Sequence, residues 1–190
     1  MKSFTHLTSA AIPLPMKDVD TDMIIPAQYL TQINREGYGA FLFNRLKEQN
    51  LDFIFNHPDY QNAHILISQS NFGCGSSREH AVWALLQWGI QIIIAESFSD
   101  IFFNNAAKNG LLLIQLKKST IDMLLAQAKK SELIISVDLP MQTITLMNGE
   151  IYHFDYDPFR KTCLLSGYND LDYLLSTLPK IETIEIYEAR

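Results

Sequence analysis

Three short apolar runs, each followed by a segment of helical character, restrict the folds open to this chain more than any other feature. The apolar runs cover residues 64–68, 90–95 and 111–116, and the helical patterns cover residues 78–88, 99–109 and 119–130. Apolar runs of this length fit buried strands, and parallel strands need a crossover helix between them. The repeated order of strand and helix therefore predicts an α/β fold with a parallel sheet at its centre.

The regions that flank this unit follow other patterns. Residues 12–26 carry three prolines and three aspartates, which predicts an extended segment and loops, and residues 40–49 have helical character. Strands are predicted at 132–138, 143–147 and 150–154, and helices at 159–166 and 170–176. The dipeptide Asn148-Gly149 favours a tight hairpin, so the late strands should form an antiparallel β layer. We expect one domain over residues 1–190, with a helical appendage at about 158–190.

Composition excludes several classes of protein. The net charge is −6, so a nucleic-acid-binding face is not expected. The only cysteines are Cys74 and Cys163, whereas a four-iron cluster needs three or four thiolates and zinc sites need closely spaced ligands. The chain alone should therefore bind no metal. The apolar runs are too short to span a bilayer and the start lacks a secretory signal, which predicts a cytoplasmic protein.

The segment from Gly73 to His80, with the sequence GCGSSREH, carries the most chemical information. Small residues allow positive φ and close approach of a ligand. Ser76 and Ser77 fall at the predicted start of a helix, where free N–H groups and the helix dipole favour an anion. Arg78 adds a guanidinium fork that suits a carboxylate or phosphate. Residues alone leave a second interpretation open, in which Ser76 and Glu79 form a capping box.

Two motifs resemble those of a known family. Residues 71–81, NFGCGSSREHA, resemble the signature loop of the swivelling domain in the aconitase superfamily. Residues 18–27, DVDTDMIIPA, resemble the D-x-D-T-D-x-I-I-P segment of the 3-isopropylmalate dehydratase small subunits within that superfamily. Further matches at 29–31 with 35–39, at 97–105 and at 157–161 follow in the same order. The resemblance covers nearly the whole chain and implies a swivelling β/β/α domain with C-terminal helices.

The resemblance also implies roles for individual residues. Ser76 corresponds to the catalytic base of the superfamily, and Ser77 and Arg78 correspond to groups that contact a substrate carboxylate. Arg35 matches a second carboxylate-binding arginine only with a shift of one residue. An exposed basic residue without a role in binding is the alternative for Arg35.

The segment 73–80 is called the glycine-serine loop below. Residues before this loop have implied roles as well. Thr21 and Asp22 are expected to orient the serine hydroxyl and to fix the two loops against each other. Tyr29, Leu30 and Thr31 fall in the loop that tunes substrate choice among the relatives. Leu30 could meet an isopropyl group, and an ordinary core leucine is the alternative.

The implied activity is a dehydration and rehydration that interconverts 2-isopropylmalate and 3-isopropylmalate in leucine biosynthesis. The resemblance places the four-iron four-sulfur cluster on a separate large subunit, with which this chain would form a heterodimer. A homoaconitase or a citraconate or methylmalate hydratase would keep the architecture and change the substrate. A non-catalytic anion-binding module remains a hypothesis of a different class.

Overall fold

The structure is a computed structural model that describes residues 1–30, 36–76 and 78–178. Its seven strands form one hydrogen-bonded sheet in the order β4-β3-β2-β1-β5-β6-β7. Neighbours from β1 to β4 are parallel, and neighbours from β1 through β5 and β6 to β7 are antiparallel. The strands are β1 His6–Pro13, β2 Ile65–Ile67, β3 Ile92–Ala95, β4 Leu112–Gln115, β5 Ile134–Asp138, β6 Thr143–Leu146 and β7 Ile151–His153.

Strand β1 joins the parallel and antiparallel parts of the sheet. Its first five residues, 6–10, pair with β5, and its last three, 11–13, pair with β2. No strand was predicted in this position, and this omission was wrong. The segment HLTSAAIP mixes small and polar residues, and only the two partner strands give it a strand conformation.

Helices follow the strands of the α/β unit as the sequence predicted, but the prediction of an extended segment and loops over residues 12–26 was wrong at residues 21–24, which form a short helix capped by the side chain of Asp20. The helices are α1 Thr21–Ile24, α2 Asn44–Gln49, α3 Glu79–Trp88, α4 Asp100–Asn109, α5 Lys118–Ala128, α6 Pro158–Ser166 and α7, residues 170–178. The α/β class, the central parallel sheet, the antiparallel part and the C-terminal helices are therefore confirmed. None of the helices within the described ranges is long and apolar enough to cross a membrane.

Two hydrophobic cores lie on opposite faces of the parallel strands, because successive side chains of a strand point to opposite sides. Leu66 and Ile93 face a core that includes buried residues of α3 and α4. Ile65 and Ile92, one position earlier, face a core shared with α5 and the antiparallel strands. All four of these strand side chains are fully buried. This burial on both faces explains why the strands read as continuous apolar runs.

Candidate active site

The candidate site lies at one edge of the parallel sheet, which we call the carboxyl edge. We define it as the loops 14–20, 68–78 and 96–99, which follow β1, β2 and β3. Parallel strands end at the same edge, so loops distant in sequence meet there. The motif at 18–27 begins in the first of these loops and continues through α1, and the motif at 71–81 spans the second loop and the start of α3.

Backbone hydrogen bonds fasten the first loop to the second. Gly73 N donates to Val19 O at 2.7 Å, and Thr21 N donates to Cys74 O at 3.0 Å. The side chain of Thr21 is buried, and its Oγ1 donates to the carbonyl oxygen of Ser76 at 2.9 Å. Thr21 therefore holds the backbone of the residue that carries the candidate base.

Four of the residues that the structure describes in these loops have positive φ. Gly73 and Gly75 have φ of 76° and 86°, which glycine adopts at no steric penalty. Asp18 and Asn71 have φ of 51° and 60°, and for residues with a Cβ this region is sparsely populated. The Nδ2 of Asn71 donates to Oδ1 of Asp18 at 2.6 Å, so the two strained positions support each other. Strain that persists at a polar surface is a common property of functional sites.

Helix α4 and its capping residue pack against Gly73 of the glycine-serine loop. Ser99 caps α4, and its Oγ also donates to Gly73 O at 2.7 Å. A Cβ added to Gly73 would lie 2.1 Å from Cγ of Phe102, which is buried. Gly73 is therefore required for the close approach of the loop to α4.

Ser76 lies on the exposed surface of the carboxyl edge, three residues before α3 begins at Glu79. The residue that precedes the helix is Arg78, which has extended backbone angles and makes no side-chain capping bond. The capping-box interpretation and the placement of Ser76 at the helix start were therefore wrong. The carboxylate of Glu79 accepts instead from Nδ2 of Asn109 at 2.8 Å. Helix α3 begins later than the pattern suggested because the loop before it bonds to Val19 and Thr21.

Arg78 and Asp22 form the closest charged pair among the described residues of the site. Nη1 of Arg78 donates to Oδ1 of Asp22 at 2.6 Å, and the side chains are 20% and 34% exposed. This hydrogen bond, together with the backbone N–H of Ala27 and the positive charges, lowers the pKa of Asp22 below its ordinary value, against an opposing effect of burial. Asp22 therefore stays ionised and fixes one end of the Arg78 guanidinium.

A third charged residue of the site, Arg45 of α2, was not predicted from the sequence. Its Nη1 lies 3.3 Å from Oδ2 of Asp22. Nothing in the spacing of Arg45 and Asp22 along the chain indicates this contact. The contact forms because the N–H of Phe43, a buried residue just before α2, donates to Ile24 O of α1 at 2.9 Å.

The substrate-choice loop is described only at its start. The ring of Tyr29 stacks on Phe41 at 4.1 Å between centroids, and its hydroxyl accepts from Nδ2 of Asn44 at 2.9 Å. Leu30 is partly buried against the core of α3 and α4. Thr31, Arg35 and Ser77 lie outside the described residues, so their predicted roles stay predictions.

Metal ligands do not gather in the part of the chain that the structure describes. No group of three histidine, cysteine, aspartate or glutamate residues is placed there to hold a metal ion. Burial, and after it the charges of Asp20 and Asp18, raise the pKa of the Cys74 thiol. The described residues therefore offer a donor set that does not fit an iron-sulfur cluster.

Comparisons with known proteins agree with this architecture. The family model for the aconitase C-terminal domain matches residues 1–119. A 3-isopropylmalate dehydratase small subunit from Francisella philomiragia is 59% identical over 185 residues, which cover 97% of this chain and 97% of that protein. A protein of the same name from Jannaschia sp. is 47% identical, covering 100% and 98% of the two chains.

A solved structure extends the similarity to three dimensions. The crystal structure of a 3-isopropylmalate dehydratase from Methanocaldococcus jannaschii superposes with a TM-score of 0.69 at 27% sequence identity. The superposition covers 96% of this chain and 99% of that chain. The similarity therefore includes the antiparallel strands and C-terminal helices that follow the family match.

Proposed function

Because this chain belongs to the 3-isopropylmalate dehydratase small subunits of the aconitase family, we propose that it interconverts 2-isopropylmalate and 3-isopropylmalate in leucine biosynthesis. It would act as one subunit of a hydro-lyase that is complete only with a large subunit. The observation that carries the proposal is the fastening of the glycine-serine loop to the Thr21-Asp22 turn. This fastening holds an exposed hydroxyl, that of Ser76, two residues from a guanidinium whose aspartate partner is ionised.

The reaction needs a base and a carboxylate-binding group, and the chain offers both. Ser76, as an alkoxide, would take the proton from the carbon next to a substrate carboxylate. Loss of this proton and departure of hydroxide from the neighbouring carbon leave the alkene intermediate. Addition of hydroxide to the carbon that lost the proton, together with return of the Ser76 proton to the carbon that lost hydroxide, would give the isomer and restore the alkoxide. Arg78 and Ser77 would bind the carboxylate, with Arg35 as a second cation.

Residues around the base would position it. Thr21 bonds to the Ser76 carbonyl rather than to its hydroxyl, so we assign Thr21 to holding the loop. Asp22 would orient Arg78 through the bond at 2.6 Å. Tyr29, Leu30 and Thr31 would select the substrate side chain. Of these, the ring of Tyr29 is already fixed by its stack on Phe41.

We assign the four-iron four-sulfur cluster, which would activate the departing hydroxyl, to the large subunit. The exposed position of Ser76 agrees with a half-site that a partner completes. Residues 1–190 would act as one swivelling domain in a cytoplasmic heterodimer. The chain as a whole is negatively charged, with a net charge of −6. Attraction of the dicarboxylate substrate would therefore depend on the cations at the carboxyl edge.

Reconstitution tests the proposal directly. The purified chain is mixed with a cluster-loaded large subunit, and absorbance of the alkene intermediate is followed with 2-isopropylmalate, homocitrate-type and methylmalate-type substrates. We expect turnover of 2-isopropylmalate by the mixture and none by either subunit alone. Turnover by this chain alone would contradict the two-subunit proposal. Preference for another substrate in the panel would contradict the assignment of the substrate.

A further inference from the structure

The first turn of α2 contacts both the substrate-choice loop and the charged pair of Asp22 and Arg78. Its residues Asn44 and Arg45 are neighbours in sequence and bind different partners. Asn44 donates to the hydroxyl of Tyr29 at 2.9 Å, and Nη1 of Arg45 lies 3.3 Å from Oδ2 of Asp22. The turn is itself anchored, because Phe43 is fully buried and its N–H bonds to α1. Arg45 therefore reaches Asp22 from a fixed backbone.

The two oxygens of Asp22 have different partners. Oδ1 accepts from Nη1 of Arg78 at 2.6 Å and from the backbone N–H of Ala27 at 3.1 Å. Oδ2 lies against Arg45. A carboxylate held in this way cannot turn both of its oxygens toward Arg78. The structure accordingly has Arg78 contacting Asp22 through a single nitrogen.

We infer that Arg45 is a positioning residue, which holds Asp22 so that Arg78 keeps donors for the substrate carboxylate. A guanidinium has five N–H donors and pairs best with a carboxylate through two of them. Without Arg45, Asp22 is free to rotate and to take Arg78 as a bidentate partner, in competition with substrate. The inference rests on the proposed function, because it assumes that Arg78 binds a substrate carboxylate.

Arg45→Gln removes the contact and Arg45→Lys keeps its charge. In the reconstituted enzyme we expect Arg45→Gln to raise KM for 2-isopropylmalate about fivefold while kcat stays within about twofold, since ground-state binding is what weakens. Arg45→Lys should recover most of the affinity. Lys108→Met is the control, because it breaks an exposed ion pair, with Asp170, in the last turn of α4, away from the carboxyl edge where α4 begins. The control should leave KM unchanged.

A second measurement uses the isolated full-length chain and needs no turnover. The Asp22 carboxyl is titrated by carbon-13 NMR, with Arg78 and Arg45 as the charged groups that face it. Arg45→Gln should raise the pKa of Asp22 toward its ordinary value, and Lys108→Met should not. A purely structural role for Arg45 in α2 would lower thermal stability without this selective change.

The outcomes separate the inference from the proposed function. A higher KM, recovered by lysine, together with a higher pKa of Asp22 supports the positioning role. An unchanged KM overturns this role, whether or not the pKa moves. If the wild-type mixture turns over no substrate, the proposed function fails, and an unmoved pKa of Asp22 in Arg45→Gln then overturns the inference on its own evidence.

Discussion

The chain reverses direction at both edges of the parallel sheet, but the residues that adopt positive φ in the turns differ between the edges. At the amino edge, where α3 and α4 end, the chain turns at Gly89 and Gly110, whose positive φ closes each helix through backbone bonds. At the carboxyl edge, positive φ also occurs at residues with side chains, Asp18 and Asn71. These two turns at the amino edge use glycine, which adopts positive φ at no steric penalty. Asp18 and Asn71 carry a Cβ, so positive φ is less favourable for them.

This difference shows where the structure serves something other than stability. Glycine at positions such as 18 or 71 would relieve the strain, yet these positions keep side chains that bond to each other across the loops. The bonds hold the backbone that presents Ser76 and Arg78. Substitutions at the carboxyl edge should therefore affect activity more than folding, with Gly73 as the exception, and substitutions at the amino edge should affect folding alone.

Ser76→Ala should give the largest effect. Loss of a general base lowers kcat by about a thousandfold, whereas stability should stay within about 0.5 kcal/mol because the hydroxyl is exposed and caps no helix. Steady-state kinetics of the reconstituted enzyme and urea unfolding of the isolated chain measure the two effects. If activity survives, Ser76 is not the base. Ser166→Ala, at the end of α6, is the control for loss of a serine hydroxyl.

Gly73→Ala should destabilise the fold more than Gly110→Ala does. The new methyl would overlap the Phe102 ring and the φ of 76° disfavours a Cβ, so we expect a loss of about 3 kcal/mol. Gly110→Ala, at the amino edge, meets only the flexible side chain of Met1 and should lose about 1 kcal/mol. Urea unfolding of both variants compares the edges directly, and equal losses would contradict the comparison.

Asp22→Asn should lower kcat/KM about tenfold by weakening the bond that orients Arg78. The pKa of Asp22 is lowered in the folded chain. The stability that its charged form contributes to the fold is therefore fully present above the ordinary aspartate pKa. The contribution is lost as pH falls through the lowered value. We expect KM of the wild type to rise as pH falls through this lowered pKa, and the variant should lose this change. Asp122→Asn, which breaks the exposed pair with Lys118 in α5, is the matched control and should keep it.

Asn71→Ala should give the smallest effect. The variant loses the bond to Asp18 and places alanine at a φ of 60°, for a loss of about 1 kcal/mol. Asn71→Gly removes the same bond and relieves the backbone strain, so its stability should lie closer to the wild type. Chemical unfolding of the two variants separates the bond from the strain. Equal stability of the two would show that strain at residue 71 is negligible.

Much of this protein follows from local sequence. The strands β2, β3 and β4 and the helices between them were predicted because burial on both faces demands continuous apolar runs. The turns at Gly89 and Gly110 followed from the conformational freedom of glycine. The two motifs placed Ser76, Arg78, Thr21 and Asp22 in one candidate site, and the structure brings these four together.

Tertiary structure alone decided the rest, because those features depend on contacts between distant segments. Strand β1 exists because β2 and β5 pair with its two halves, and its own residues have no strong strand pattern. Ser76 lies outside the helix because its carbonyl accepts from Thr21 rather than from a helical turn. Arg45 reaches Asp22 only through the docking of α2 on α1. The sequence by itself determined the chemical groups and the order of the elements, whereas pairing across the chain determined their geometry.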